Sequence, residues 1–207
     1  STSLVWLRDD LRLADNPALT AALAAGDHTA ILYVLDDESP EVRPLGAASR
    51  WWLHHSLRRL QRDITALGGT LILRRGPARE VVTAVATEVG ATSVHWNRRY
   101  GSARAIDTEL KVSLPDAHSY TGSLLHDPWS VTTGAGTPFK VFTPFWKSIL
   151  AGPRREALLG TDRHRAAVRR ELGELRALAF HQLHVRGDGL AFHAVVAIDE
   201  SVAARVD

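Results

Sequence analysis

The chain has 207 residues, a formal net charge of +2 and no cysteine. The small net charge excludes a nucleic-acid footprint spread over the whole surface, and the lack of cysteine excludes disulfides and thiolate–metal sites. Its apolar runs are too short to cross a bilayer and no charged-then-apolar leader opens it, so we expect a cytoplasmic protein that does not bind membranes.

The first 120 residues alternate apolar runs with segments of helical periodicity. Asn16 and Pro17 predict a helix start, because asparagine caps helices and proline suits the first helical position. The apolar runs predict five strands, at 4–7, 29–35, 69–74, 93–96 and 117–120. One apolar stripe predicts a long helix after the second strand, with Leu53, Leu57, Leu60, Ile64 and Leu67 facing the core. The alternation predicts an α/β fold, a doubly wound, Rossmann-like sheet of five parallel strands in the order 3-2-1-4-5.

Polar side chains follow three of these strands. Arg8, Asp9 and Asp10 follow the first strand, Asp36 follows the second, and the loop 97–100 follows the fourth. Because ligands bind where the strand order reverses, between strands one and four, these loops suit a polar and partly aromatic ligand. The alternative interpretation is that they are solvated strand ends that pair with one another.

Five segments, in order, resemble the DNA photolyase and cryptochrome family. The first is Trp-Leu-Arg-Asp-Asp-Leu-Arg-Leu at 6–13 and the second is Leu-Gly-Ala-Ala-Ser-Arg-Trp-Trp-Leu at 45–53. The others are His-Trp-Asn-Arg-Arg-Tyr at 95–100, Leu-Leu-His-Asp-Pro-Trp at 124–129, and Pro-Phe-Lys-Val-Phe-Thr-Pro-Phe-Trp at 138–146. Within that family the likeness is to bacterial class I photolyases, which split cyclobutane pyrimidine dimers with light.

The resemblance implies that residues 1–150 form the α/β domain that holds a light-harvesting antenna pigment. The pigment is a folate, a deazaflavin or another flavin, according to the family member. The implied cofactor-binding residues are Arg8, Asp9, Asp10, Asp36, Arg50, Asn97, Arg98, Arg99 and Tyr100. In the full-length family member a helical domain holds FAD and contacts the DNA, so we expect this chain to lack repair activity by itself.

Residues 151–207 show no further resemblance to the family and are expected to form an atypical tail, mostly helical or, in part, disordered. Val168, Leu172, Leu175 and Ala179 suggest one amphipathic helix, and 190–198 suits a strand or a second helix. We predict no catalytic residue and no metal site, since His181 and His184 have no evident third ligand. The aromatic residues of 139–146, together with Trp51, Trp52 and Trp96, are expected to serve packing.

Three functions remain open from the sequence. The first is an antenna domain of a photolyase, and the second is a cryptochrome-like photosensory or regulatory fragment. The third is a stand-alone nucleotide-binding module of the universal-stress or electron-transfer-flavoprotein type. That third class uses a glycine-rich phosphate loop, and no such loop follows a strand here.

Overall fold

The structure is a computed structural model that describes residues 1–67, 69–114, 116–153 and 156–158, and the backbone of two later strands. The elements in chain order are β1 Thr2–Leu7, α1 Pro17–Ala25, β2 His28–Leu35, α2 Ala47–Ala66, β3 Leu71–Arg75, α3 Ala78–Glu88, β4 Ala91–Asn97, α4 Arg104–Ser113, β5 Ala117–Tyr120, α5 Phe142–Ala151, β6 Ala179–Val185 and β7 Phe192–Ile198.

The first five strands form one parallel sheet in the order β3-β2-β1-β4-β5, which confirms the predicted fold. Strand β1 lies between β2 and β4, with Trp6 opposite Leu32 on one side and Trp96 on the other. The predicted start of α1 is also confirmed, because the Asn16 side chain accepts a hydrogen bond from the Leu19 amide and Pro17 is the first helical residue.

Each face of the sheet packs against two helices, because successive residues of a strand point to opposite sides. On one face α3 and α4 cover a cluster that includes Leu4, Trp6, Val94 and Trp96. On the other face α1 and α2 cover Val5, Leu7, Ile31 and Tyr33, using the predicted stripe of α2. Both faces are therefore covered, as the near-continuous apolar strands require.

The tail differs from the sequence prediction. Over the two described stretches beyond residue 158, β6 and β7 form an antiparallel pair rather than helices, which settles the choice left open for 190–198 in favour of a strand over Phe192–Ile198. Val195, Val196 and Ile198 are β-branched, and such residues favour strands over helices. Of the amphipathic helix predicted from Val168, Leu172, Leu175 and Ala179, only Ala179 is described, and it begins β6 instead. The side chains of His181 and His184 lie outside the described residues.

Helix α5 and the indoles of Trp51 and Trp52 differ from the expectation that they serve packing. The helix begins at Phe142 and carries Pro144 in its first turn, where the missing N–H of proline would have no helical partner. None of its residues is buried, and Trp51 and Trp52 are exposed rather than packed, whereas Trp96 is buried as expected. Among the described residues, no helix is long and apolar enough to span a membrane.

Candidate cofactor-binding site

The carboxyl ends of β1 and β4 meet at the point where the strand order reverses. There the Asp9 carboxylate accepts a hydrogen bond from Arg99 Nε at 2.7 Å, so the two loops are in direct contact. The Arg99 side chain is partly buried, while Asp9 is exposed. Tyr33, on the neighbouring strand β2, lies close enough to feel both charges. Burial raises the pKa of its phenol to about 12, so it stays protonated at neutral pH.

Arg8 is buried at this point rather than facing solvent. Its guanidinium donates to the two carboxylate oxygens of Asp107 on α4 at 2.5 and 3.1 Å and to the carbonyl oxygen of Asn97. The same group lies over the Trp6 ring, 4.4 Å from its centroid. Burial lowers the pKa of Arg8, while the hydrogen bond and charge of Asp107 act in the opposite direction. Arg8 therefore ties α4 to the ends of β1 and β4.

Asp10, Asn16 and Asn97 form a second buried polar network beside Arg8. The Asp10 carboxylate accepts from the Arg8 amide at 2.8 Å and from Asn97 Nδ2 at 2.5 Å. Asn97 also donates to Asn16 Oδ1 at 2.8 Å and accepts from the Ala18 amide at 3.2 Å. These contacts join the start of α1 to the end of β4, so Asp10 and Asn97 are occupied by protein partners.

Arg50 lies at the start of α2, beside the end of β2. Its Nη2 donates to Asp37 at 3.2 Å and its Nε donates to the Leu45 carbonyl at 3.0 Å, which holds the guanidinium in one orientation. Arg75 donates to the same carboxylate at 3.0 Å. The Arg50 side chain is 34% exposed, whereas that of Asp37 is only 7% exposed.

Asp36, the predicted acidic residue of this loop, has a local role instead. Its carboxylate accepts hydrogen bonds from the amides of Glu38, Ser39 and Ala78 at 3.3, 2.9 and 3.1 Å. Two of these bonds shape the turn after β2 and the third caps the first turn of α3. The neighbouring Asp37, absent from the predicted set, is the residue that fixes Arg50.

Arg98 and Tyr100 converge on Asp127, another residue that sequence reasoning missed. Arg98 Nη1 donates to Asp127 at 2.9 Å, the Tyr100 hydroxyl donates at 2.6 Å, and the Thr121 hydroxyl donates at 2.6 Å. Burial would raise the pKa of Asp127, but the bonds from Thr121 and Tyr100 and the Arg98 charge together lower it. Burial, followed by the bond to Asp127, raises the pKa of Tyr100 to about 12.

The predicted residues thus fall into two groups. Arg8, Asp10, Asp36 and Asn97 bond within the protein and shape the strand ends. The groups that border solvent are the Asp9–Arg99 pair, the Arg50 guanidinium, and Arg98 with Tyr100. The motif at 124–129 contained the missed Asp127, but nothing in its spacing indicated which strand end it would meet. Among the described residues, no group of three or more His, Asp and Glu side chains could hold a metal ion.

Comparison with known proteins identifies the family of this chain. The family model described as DNA photolyase matches residues 3–167, so the likeness extends beyond residue 150, where the sequence motifs placed its end. The chain belongs to the DNA photolyase family. It is 41% identical over 151 residues to the deoxyribodipyrimidine photo-lyase of Agrobacterium fabrum (strain C58 / ATCC 33970), covering 70% of this chain and 31% of that protein. It is 34% identical over 157 residues to Cryptochrome-1 of Arabidopsis thaliana, covering 73% of this chain and 23% of that protein.

The fold agrees with a solved member of the photolyase family. A bacterial class III photolyase from Agrobacterium tumefaciens superimposes with a TM-score of 0.65 and 38% identity, covering 74% of this chain and 32% of that one. That protein is described as class III, whereas the sequence motifs suggested a likeness to class I. The chain spans less than a third of the length of the photo-lyase and cryptochrome relatives named above.

Proposed function

We propose that this photolyase-family chain is a domain that binds an antenna pigment and serves light-dependent repair of pyrimidine dimers in DNA. The pigment, a folate, deazaflavin or flavin, would supply absorption of light, whose energy passes to FAD in the helical domain of the full-length family member. The α/β residues would bind the pigment and orient it. Contact with DNA belongs to the helical domain in this proposal, not to the α/β sheet.

The observation that supports this proposal is the arrangement around Arg50. A partly exposed guanidinium is fixed by Asp37 and by the Leu45 carbonyl, so it loses little freedom when a ligand binds. Two exposed indoles follow it in sequence, Trp51 at 60% and Trp52 at 71% exposure. A planar guanidinium binds carbonyl oxygens and stacks on aromatic rings, and indoles stack on flat ligands, so these groups fit a pigment ring.

The experiment that tests this proposal is a fluorescence titration of the chain with folate, deazaflavin and FMN. We expect one of these pigments to bind, and Arg50→Ala to weaken its binding by about 1–3 kcal/mol, the usual cost of removing a charged partner. Arg59→Ala is the matched control, because Arg59 lies exposed on the same helix and pairs with Asp63. Equal affinity in the wild type and Arg50→Ala would show that Arg50 is only a surface residue, and failure of all three pigments to bind would refute the antenna function.

A cryptochrome-like photosensory role is the second candidate, favoured by the 34% identity to Cryptochrome-1 of Arabidopsis thaliana. Both candidates use the same α/β domain, so pigment binding does not separate them. A repair assay on a DNA oligonucleotide with one cyclobutane dimer does, when it is run with the full-length protein of a close relative. We expect the 207-residue chain with added FAD to show no repair, because among its described residues the α/β unit offers no catalytic group for this reaction.

A further inference from the structure

Trp129 is a half-exposed indole with two guanidinium groups beside it. Trp129 is 50% exposed and lies two residues after Asp127, in the same loop. The Cζ atoms of Arg98 and Arg104 lie 5.8 and 5.3 Å from the centroid of its ring. The Tyr100 ring lies 6.1 Å away and is tilted by 43°. Positive charge and aromatic surface therefore meet beside the strand end that carries the predicted site.

The ring is held by a frame of hydrogen bonds. Asp127, two residues earlier, accepts bonds from Arg98, Tyr100 and Thr121, and its backbone carbonyl accepts from the Ser130 amide at 2.9 Å. The loop around Trp129 is thus fastened to the ends of β4 and β5. A fixed, half-exposed ring binds a flat ligand at a lower entropic cost than a mobile one.

The two arginines differ in whether a carboxylate neutralises their charge. Arg98 is paired with Asp127, so its charge is neutralised within the protein. Arg104 is exposed, and within the described ranges no carboxylate forms an ion pair with it. It is also the first residue of α4, where the helix dipole favours an acidic side chain and disfavours a cation. An unpaired cation at that position attracts an anion.

We propose that Trp129 and Arg104 form a stacking platform for a flat heteroaromatic ligand that carries a negative charge. The ring of the ligand stacks on the exposed part of the Trp129 ring, and its carboxylate or phosphate pairs with Arg104. This inference rests on the proposed function for the identity of the ligand, an anionic pigment of the folate or flavin-phosphate class. It adds two binding residues, Trp129 and Arg104, that are not among the predicted cofactor-binding residues.

The first test measures the affinities of FMN and folate for the wild type, Trp129→Ala and Trp129→Phe by fluorescence titration. We expect the alanine variant to weaken binding of the preferred ligand about 5- to 100-fold, as for other lost aromatic stacking contacts. The phenylalanine variant keeps a ring and should stay within a few-fold of the wild type. Trp146→Ala is the matched control, because Trp146 is similarly exposed, at 47%, on α5. Comparing FMN with folate shows which class of pigment the platform takes.

The second test isolates the charge. Arg104→Gln should weaken binding of FMN and leave binding of riboflavin, which lacks the phosphate, unchanged. Urea unfolding of each variant verifies that it is folded.

If Trp129→Ala binds like the wild type while Arg50→Ala loses affinity, the platform is refuted and the antenna function stands. If neither FMN nor folate binds to the wild type, the platform is refuted too, and the antenna function then rests on deazaflavin alone. Equal losses for FMN and riboflavin in Arg104→Gln would refute the pairing with a negative group.

Discussion

Buried His95 makes the stability of this domain depend on pH in a defined window. The residue is 2% exposed, its Nδ1 is 2.9 Å from the Tyr120 hydroxyl, and its Nε2 is 2.9 Å from Ser93 Oγ. Burial and, to a smaller extent, the charge of the neighbouring His118 lower the pKa of His95 to about 4, while Asp116 acts in the opposite direction. The folded state thus holds this imidazole neutral at pH 5, where an unfolded histidine is protonated.

The sign and size of the effect follow from that difference. Between pH 6.5 and about 4 the unfolded state binds a proton that the folded state does not, so acid favours unfolding. With an unfolded pKa of 6.5 and a folded pKa of about 4, the free energy of unfolding falls by about 2 kcal/mol from pH 7 to pH 5. The Asp127 carboxyl, whose pKa is lowered, affects stability only at more acidic pH.

The assay is urea unfolding, followed by tryptophan fluorescence, at pH 7, 6 and 5. We expect His95→Gln to lose about 2 kcal/mol less than the wild type over this range, because its side chain does not titrate. His55→Gln, a change of an exposed histidine, is the control and should keep the wild-type slope. Direct titration of the His95 ring by NMR is independent of unfolding. A pKa near 6.5, or identical slopes in the wild type and His95→Gln, would refute this reasoning.

Two substitutions test the buried networks at the strand ends by the same urea unfolding at pH 7. Gly122→Ala should destabilise the folded domain by about 1–3 kcal/mol, because the new Cβ would lie 2.6 Å from Asn97 Oδ1. Gly134→Ala is the control and should change stability little, because no atom lies within 4 Å of its new Cβ. Equal effects of the two substitutions would contradict the network around Asn97. Asp107→Ala should cost about 3–5 kcal/mol by leaving a buried guanidinium unpaired, against less than about 1 kcal/mol for Asp63→Ala in an exposed helix pair. A small effect of Asp107→Ala would mean that the buried guanidinium finds other partners.

Local patterns were enough to predict the sheet. The apolar runs, the Asn16 cap and the stripe of α2 are each set by residues within one or two turns of one another, and the structure confirms them. The right-handed rule for crossovers between parallel strands then left few strand orders. The tail lacked such mutual support, because its apolar positions suited either a strand or a helix. The helical prediction was wrong for Ala179–Val185, whereas a strand at Phe192–Ile198 is one of the two options that the sequence left open.

The division of roles among the site residues could not be predicted in the same way, because it depends on partners far apart in sequence. Arg8 meets Asp107 across 99 residues, and Asp10 meets Asn97 across 87. A charged residue after a strand looks the same in the sequence whether its side chain pairs with a distant carboxylate or faces solvent. Family motifs mark such positions equally, since they retain residues that shape a site as well as residues that contact a ligand.

The buried residues and the solvent-bordering residues of the site should respond differently to substitution. Arg8, Asp10 and Asn97 are buried in mutual contacts, so changing them moves the loops that carry Arg99 and Tyr100. Arg50 and Trp129 border solvent, and each is fixed by contacts behind it, from Asp37 and from the Asp127 loop respectively. Changes to the buried group should therefore lower stability and pigment affinity together, whereas changes to the exposed group should lower affinity alone. Measuring both quantities on the same variants separates residues that build the site from residues that bind the ligand.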